Sequence, residues 1–169
     1  MFSGLRRAAD ILIGLAAALG AFGLLVEVGV ILADVIGRAV GHPLFGAHDL
    51  VTMTMVVLVF GGMALCDRTG GHIAVDLFER RFPARMNRIV DVLSALLGAM
   101  IFVMIAWAVW ESAKLSQMLN LSTNLLLLPK AWFQWALIGF ALLTALGMAL
   151  RAAELALSGR DVRREASPT

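Results

Sequence analysis

The sequence is short of charge, cysteine and proline. Charged residues make up 15% of its 169 residues, whereas an ordinary soluble domain has about 25%. The single cysteine, Cys66, excludes a disulfide framework and a zinc or iron–sulfur site built from cysteines. Four prolines and the lack of low-complexity stretches argue against a disordered chain. The basic residues lie between apolar runs and form no patch, so we expect no nucleic-acid partner.

Apolar residues, in contrast, are in excess. They make up 60% of the chain, and the mean hydropathy is +0.88. A soluble fold of this size cannot bury so much apolar surface, so we expect a lipid bilayer as the environment. Four apolar runs are long enough to cross it as α-helices, at about residues 11–36, 48–66, 87–110 and 131–151. We predict an all-α membrane protein with four transmembrane helices in a single domain over residues 1–157.

Lys and Arg are divided unequally between the two ends of these runs. Eleven of the fourteen lie before the first run, between the second and third, or after the fourth, and the other three are Arg38, Lys114 and Lys130. Because basic residues are retained on the cytoplasmic side, we predict an inner-membrane protein with both termini in the cytoplasm.

Two polar segments lie on that same predicted side. In the connection after the second run, Ile73 and Leu77 share one helical face, whereas Asp76 and Glu79 lie mostly on the other. This pattern predicts a short amphipathic helix along the membrane interface, between helices two and three, that ends at Pro83. The polar residues 158–169 are predicted to form a disordered cytoplasmic tail.

Glu27 is the most deeply placed charge of the first run. Arg38 marks the outer end of that run, about 16 Å away along a helix, so Glu27 lies near the bilayer midplane. A carboxylate at this depth faces protein or water. Glu27, Asp34 and Arg38 share one helical stripe, on which Asp34 and Arg38 can pair. No basic residue of the chain matches the depth of Glu27, so it is protonated, hydrogen-bonded to a polar side chain such as Ser94, or paired with a group outside the chain.

Two roles are open for Glu27: a coupling carboxylate for protons or a cationic substrate, or a structural contact to a helix or subunit. A coupling site gathers several polar groups, and runs two and four offer almost none, which favours the contact. Small residues at four-residue spacing in runs one and four indicate close helix packing. They are Gly29, Ala33 and Gly37, and Ala141, Ala145 and Ala149.

Histidines and tryptophans are the remaining candidates for ligand binding. A membrane crossing separates His42 and His48 from His72, so no haem iron can bind across that gap. His42, His48 and Asp49 could hold a metal, but their spacing is not specific. The tryptophans flank the last loop as an interfacial belt or, alternatively, a ligand-stacking site. They are Trp107, Trp110, Trp132 and Trp135. We predict no catalytic, cofactor or metal site and no enzyme activity, because no phosphate loop, nucleophile elbow or catalytic carboxylate pair occurs.

Two segments carry motifs in a recognisable order. The first contains Asp34-Val-Ile-Gly-Arg38, then Pro43-Leu-Phe-Gly46, then the pair Asp49-Leu50. The second is His72-Ile-Ala-Val-Asp76, followed by Phe82-Pro83. Their order and spacing resemble the small permease subunit (DctQ-like) of the tripartite ATP-independent periplasmic (TRAP) transporters.

The resemblance covers residues from about 11 to 155, with two departures. Asp49 stands where that family has a glutamate, and the segment Pro129-Lys-Ala-Trp132 is one residue longer than usual.

This resemblance implies a role in solute uptake across the bacterial inner membrane. Such transporters combine a periplasmic solute-binding protein, a large permease subunit that carries the substrate and sodium sites, and a small subunit that enlarges the static scaffold. Sodium-driven symport of a carboxylate is the implied activity. The residues that we expect to brace the bundle and its contact with the large subunit are Glu27, Asp34, Arg38, Asp49, His72 and Asp76.

Three other functions compete with this one. A small multidrug-type, proton-coupled exporter also has four helices and one membrane glutamate, a role that Glu27 would take, but such proteins act without further components and have aromatic residues around the glutamate. An electron-transfer or quinone subunit would show a haem spectrum. The third alternative is an assembly factor without transport function, which would dissociate from the complex once it is mature.

Overall fold

The computed structural model describes residues 2–69 and 83–158, which form four α-helices. These are α1 (Phe2–Ala39), α2 (Ala47–Thr69), α3 (Ala84–Met118) and α4 (Lys130–Ser158). Each contains a segment long and apolar enough to cross a membrane, and this part of the chain contains no β-strand. The prediction of an all-helical fold with four helices of membrane-spanning length is therefore confirmed. The amphipathic helix, with His72 and Asp76, lies outside the described residues, as does the tail beyond Ser158.

Helices α1 and α3 extend well beyond the predicted apolar runs. Helix α3 continues to Met118, past the predicted end at residue 110. Its last turns are amphipathic: Ala113 and Ser116 are buried, whereas Lys114 and Leu115 are exposed. An apolar run in the sequence ends where the exposed face of the helix becomes polar. The helix itself continues, because its buried face still packs on the neighbouring helix.

Buried residues in these helices recur at alternating steps of three and four. In α1 they include Ala9, Ile13, Ala16, Gly20 and Gly23. The same alternation occurs in α3 and α4. Steps of three and four keep one seam facing a neighbour along the whole helix, as in coiled coils and four-helix bundles. The helices therefore pack lengthwise against their neighbours.

The four helices form two hairpins, α1 with α2 and α3 with α4, joined mainly through contacts between α2 and α4. Helices α1 and α3 consequently lie at the outer edges of the bundle. Large apolar side chains of α1 and α3 are widely exposed, as at Leu25 and Met104, whereas in α2 such exposure is limited to Met55 and Val59. The broadest apolar surfaces of the described chain thus belong to α1 and α3.

The backbones of α1 and α2 approach each other closely at two glycines. A Cβ atom on Gly61 would lie 2.7 Å from the Ala16 carbonyl oxygen, and one on Gly20 would lie 3.1 Å from the Gly62 nitrogen. Only residues without a Cβ allow this separation. Close packing of these helices therefore depends on glycine at both positions.

The small-residue stripe predicted for α1 is wrong in its placement. Gly29 has open space where a Cβ would be, and Ala33 is exposed. The packing seam passes instead through Gly20, Gly23 and Glu27, and Gly29 lies on the far side of the helix. In α4 two of the three predicted residues, Ala141 and Ala145, are buried, whereas Ala149 is exposed.

Candidate functional site

The centre of the bundle is apolar. Phe102 and Ala106 of α3 pack there with Ile138, Ala141 and Ala145 of α4. Most buried polar side chains lie nearer the two ends of the bundle. We call the end with residues 40–46 and 119–129 the loop end, and the end with the start of α1 and the end of α4 the terminal end. The described acidic groups thus lie mainly at these ends, apart from Glu27, and the buried Thr144 in the middle of α4 donates to the Phe140 carbonyl of its own helix.

Asp34 organises the turn after α1 at the loop end. Its Oδ2 accepts hydrogen bonds from Arg38 Nε at 2.9 Å and Nη2 at 2.7 Å, and its Oδ1 accepts one from the Leu44 amide at 3.1 Å. The pair forms as its i, i+4 spacing predicts. Gly41 adopts a left-handed φ of 81° within this turn, a conformation that glycine takes without strain. Asp34 therefore ties the turn to the end of its own helix.

Asp49 joins the two halves of the bundle at the same end. Its side chain is buried, with 5% of the residue exposed, and Oδ2 accepts hydrogen bonds from the amides of Leu125 at 2.7 Å and Leu126 at 2.9 Å. The carboxylate lies in the first turn of α2, where the helix dipole favours negative charge. It thereby fastens the loop between α3 and α4 to the start of α2.

The loop between α3 and α4 is itself ordered by hydrogen bonds among its own residues. Thr123 and Leu128 exchange two hydrogen bonds, from the Thr123 amide at 2.9 Å and from the Leu128 amide to the Thr123 hydroxyl at 3.0 Å. The side chain of Leu126 packs on Gly46, where a Cβ would lie 2.5 Å from it. Gly46 also has a positive φ of 77°. Loop and turn therefore interlock around Asp49.

Glu27 has a different environment from the two aspartates. It is half-buried on the face of α1 that packs on α2, and its Oε2 is buried without a hydrogen-bond partner among the described residues. The predicted alternative of a bond to Ser94 is wrong, because Ser94 is exposed on α3 and α1 packs on α2 and α4. The hydroxyl of Thr54 on α2 donates to the Leu50 carbonyl of its own helix. One carboxylate oxygen in the seam thus has unused hydrogen-bonding capacity.

The acidic side chains of the described residues do not form a metal-binding cluster. Within residues 2–69 and 83–158, no three His, Cys, Asp or Glu side chains lie close enough to hold an ion. Asp49, which the sequence offered as a ligand together with His42 and His48, directs an oxygen to two loop amides instead. Asp49 is therefore used for hydrogen bonds that fix the loop end.

Comparison with known protein families matches residues 27–158 to the DctQ component of the tripartite ATP-independent periplasmic transporters. The chain belongs to this family. The match covers most of the chain and confirms the resemblance seen in the motifs. A search of curated proteins and of solved structures gave no significant match.

Membership makes this DctQ chain a small permease component of a transporter and agrees with four helices that can cross a membrane. The matched range contains all six predicted site residues, from Glu27 to Asp76. Four of them are described, and three of these lie at the loop end: Asp34 and Arg38, which pair, and Asp49, which binds the loop between α3 and α4. Glu27 lies apart from them, in the seam between α1 and α2.

The terminal end of the DctQ chain holds polar contacts that the sequence did not reveal. Arg6 of α1 forms an ion pair of 2.7 Å with Glu154 of α4. Arg88 of α3 donates from Nε to the Leu155 carbonyl at 2.7 Å and from Nη2 to the Ala156 carbonyl at 2.8 Å. Basic groups at the last carbonyls of a helix are favoured by its dipole. Since each pair joins residues far apart in the chain, no local pattern could have indicated them.

The tryptophans lie towards the loop end of α3 and α4. Trp110 and Trp135 pack edge to face with ring centroids 4.8 Å apart, whereas Trp107 and Trp132 are 70% and 69% exposed. Outward aromatic rings near a helix end are typical of an interfacial belt. A pocket of about 350 Å³ lies beside Trp132 and is lined in part by Ser116 and Asn120.

Proposed function

We propose that this chain is the scaffold subunit of a sodium-driven carboxylate importer in the bacterial inner membrane. In this proposal it works with a large permease subunit and a periplasmic solute-binding protein, and both its termini are cytoplasmic. The family match over residues 27–158 carries the proposal. The unequal distribution of Lys and Arg supports the orientation.

The loop-end geometry supports a static role. The carboxylates of Asp34 and Asp49 are occupied by Arg38 and by three backbone amides, so they hold loops in place. Groups used in this way are not free to bind a solute and release it. A rigid end is what a scaffold needs if a neighbouring subunit moves against it.

Glu27 is the candidate for contact with the large subunit. Its Oε2 lacks a partner in the described chain, and an unpaired carboxylate oxygen in a membrane seam is costly. A hydrogen-bond donor or basic group of the large subunit would satisfy it. Helix α1 lies at an edge of the bundle, where a partner can approach along its exposed apolar side.

The complex itself can be tested by co-expression with the large polytopic subunit and the secreted binding protein of the same transporter. We expect a tagged chain to retain the large subunit during purification. Uptake of a labelled dicarboxylate into vesicles should require all three proteins and a sodium gradient. Transport by this chain alone, driven by a proton gradient, would favour the exporter that uses Glu27 and would overturn the proposal.

The role of Glu27 needs matched variants within that assay. Glu27→Leu should weaken the association by about 30-fold or more and so lower the yield of co-purified large subunit, since loss of one partner from a buried charged pair costs about 2 kcal/mol or more. The yield for Glu27→Gln should lie between those of the natural chain and of Glu27→Leu, because the glutamine amide keeps one acceptor oxygen. Glu111→Gln, an exposed change at the loop end, serves as the control. Unchanged complex yield and uptake in Glu27→Leu would contradict the proposed contact.

A further inference from the structure

An apolar groove opens between α3 and α4 at the terminal end. It has a volume of about 270 Å³ and is lined by Ile89, Val92 and Leu93 of α3, Ala156 of α4, and Arg88. Ile89 is 59% exposed and Leu93 57%. Since α3 is an edge helix of the bundle, we expect this groove to face the surrounding bilayer, and its apolar lining suits a hydrocarbon chain.

Arg88 lies beside this groove in a fixed position. Two of its five N–H groups donate to the carbonyls of Leu155 and Ala156. The residue is nevertheless exposed, so three N–H groups remain for an outside acceptor. A guanidinium already held by two bonds loses little side-chain freedom when it binds a further group. Arg88 is therefore preorganised to bind an oxyanion.

Arg85 adds a second positive charge one turn earlier on α3 and is also exposed. Neither Arg85 nor Arg88 forms an ion pair with a carboxylate of the described chain. The α3 segment that is long and apolar enough to cross a membrane starts at Arg85, so both arginines lie at the terminal end of that segment. Arg88 lines the apolar groove, and Arg85 lies one turn away from it.

We propose that this groove binds an anionic phospholipid, with an acyl chain along Ile89 and Leu93 and the phosphate at Arg88 and Arg85. Charge complementarity favours an anionic headgroup over a zwitterionic one, because two arginines face a phosphate whose charge no choline offsets. A bound lipid would also hold α3 to the last turn of α4, since Arg88 contacts both the headgroup and the carbonyls of Leu155 and Ala156. The site is independent of the scaffold role and of the side on which the termini lie.

Photo-crosslinking of lipids to the full chain tests this site. The chain is reconstituted in phosphatidylcholine nanodiscs that contain a little phosphatidylglycerol or phosphatidylcholine with a photoreactive acyl chain, and labelled peptides are mapped by mass spectrometry. We expect labels in residues 85–93 and 152–158. Phosphatidylglycerol should label them more than phosphatidylcholine by about fivefold for each arginine. Unlabelled phosphatidylglycerol should compete, and inorganic phosphate should not.

Variants separate headgroup binding from folding. Arg85→Gln should reduce the preference for phosphatidylglycerol about fivefold without disturbing the fold, because Arg85 is exposed and forms no hydrogen bond or ion pair with the described residues. The double variant Arg85→Gln, Arg88→Gln should abolish it, and Leu93→Trp, which fills the groove, should reduce labelling by both lipids. Arg7→Gln removes an exposed charge from α1 at the same end and serves as the control.

Three results would overturn the lipid site. The first is equal labelling of the groove by both lipids in the natural sequence. The second is a preference for phosphatidylglycerol that persists in the double variant. The third is a loss of preference in Arg7→Gln as large as that in Arg85→Gln, which would indicate general attraction of the basic end instead of a site.

Discussion

At the scale of single residues, two aspartates solve the same physical problem at the loop end. Backbone amides in a connection close to the bilayer need acceptors, because lipid offers none. Asp34 supplies one to Leu44, and Asp49 supplies one oxygen to both Leu125 and Leu126. A charged acceptor forms stronger hydrogen bonds than a carbonyl. Each aspartate therefore acts on a loop through the main chain.

Loss of the Asp49 carboxylate should loosen the loop between α3 and α4. In Asp49→Ala the amides of Leu125 and Leu126 lose their acceptor in a buried position, and we expect the unfolding temperature in detergent to fall by roughly 5–10 °C. The unfolding temperature of Asp49→Asn should fall less, since the asparagine oxygen can still accept hydrogen bonds from these amides. The measurement is thermal unfolding followed by circular dichroism, with limited proteolysis of residues 119–129. Equal unfolding temperatures and cleavage rates for Asp49→Ala and the natural chain would contradict this role.

At the scale of helices, the pairing of α1 with α2 depends on backbone proximity. Without a hydrophobic driving force in lipid, helices associate through close packing and weak polar contacts. Gly61 lies against the Ala16 carbonyl, and Gly20 lies against the backbone of Leu58 and Gly62. These glycines lie between Glu27 and the terminal end. The distance between α1 and α2 at the glycines therefore also affects how closely the two helices enclose Glu27.

Adjacent glycines on α2 offer a matched test of this packing. An added Cβ on Gly61 would meet the Ala16 carbonyl oxygen at 2.7 Å, whereas one on Gly62 would have no neighbour within 4 Å. Gly61→Ala should therefore destabilise the bundle by roughly 1–3 kcal/mol. Gly62→Ala should be neutral or stabilising by up to about 1 kcal/mol, since alanine favours helix. Unfolding in detergent measures both, and equal effects of the two substitutions would show that the helices are not held this closely.

At the scale of the whole molecule, the arrangement of the helices determines which surfaces are open to lipid or to another subunit. Helices α2 and α4 join the hairpins, while α1 and α3 occupy the edges with broad apolar faces. One edge carries the seam with Glu27, for which we propose the large subunit. The other edge carries the groove at Arg88, for which we propose a phospholipid. The two proposed contacts thus lie on opposite hairpins.

The orientation of the molecule can be measured with single cysteines. Cys66→Ala provides the background, and Asn124→Cys and Arg7→Cys place thiols at exposed positions of the loop end and the terminal end. The distribution of Lys and Arg predicts a cytoplasmic terminal end. A membrane-impermeant maleimide should therefore label Asn124→Cys in intact spheroplasts, and Arg7→Cys only after permeabilisation. The reverse pattern would invert the proposed topology.

Much of the architecture follows from local chain properties. The four apolar runs predict the helices, and the spacing of Asp34 and Arg38 predicts their ion pair, because both depend on residues within one helix. The partners of Asp49 lie in a loop 76 and 77 residues further along, beyond the reach of any local pattern. The stripe expected at Gly29 and Ala33 was wrong because four-residue spacing of small residues is frequent in such helices and does not select a face.

The composition and the four apolar runs predicted helices long and apolar enough to cross a membrane, and the order of the motifs indicated the family. Burial of apolar surface and the need for internal hydrogen bonds leave little freedom in those respects. The helix pairing, the face that holds Glu27, and the arginine that caps α4 were determined by packing between distant segments. Such contacts depend on the close fit of specific surfaces, which no single stretch of sequence encodes.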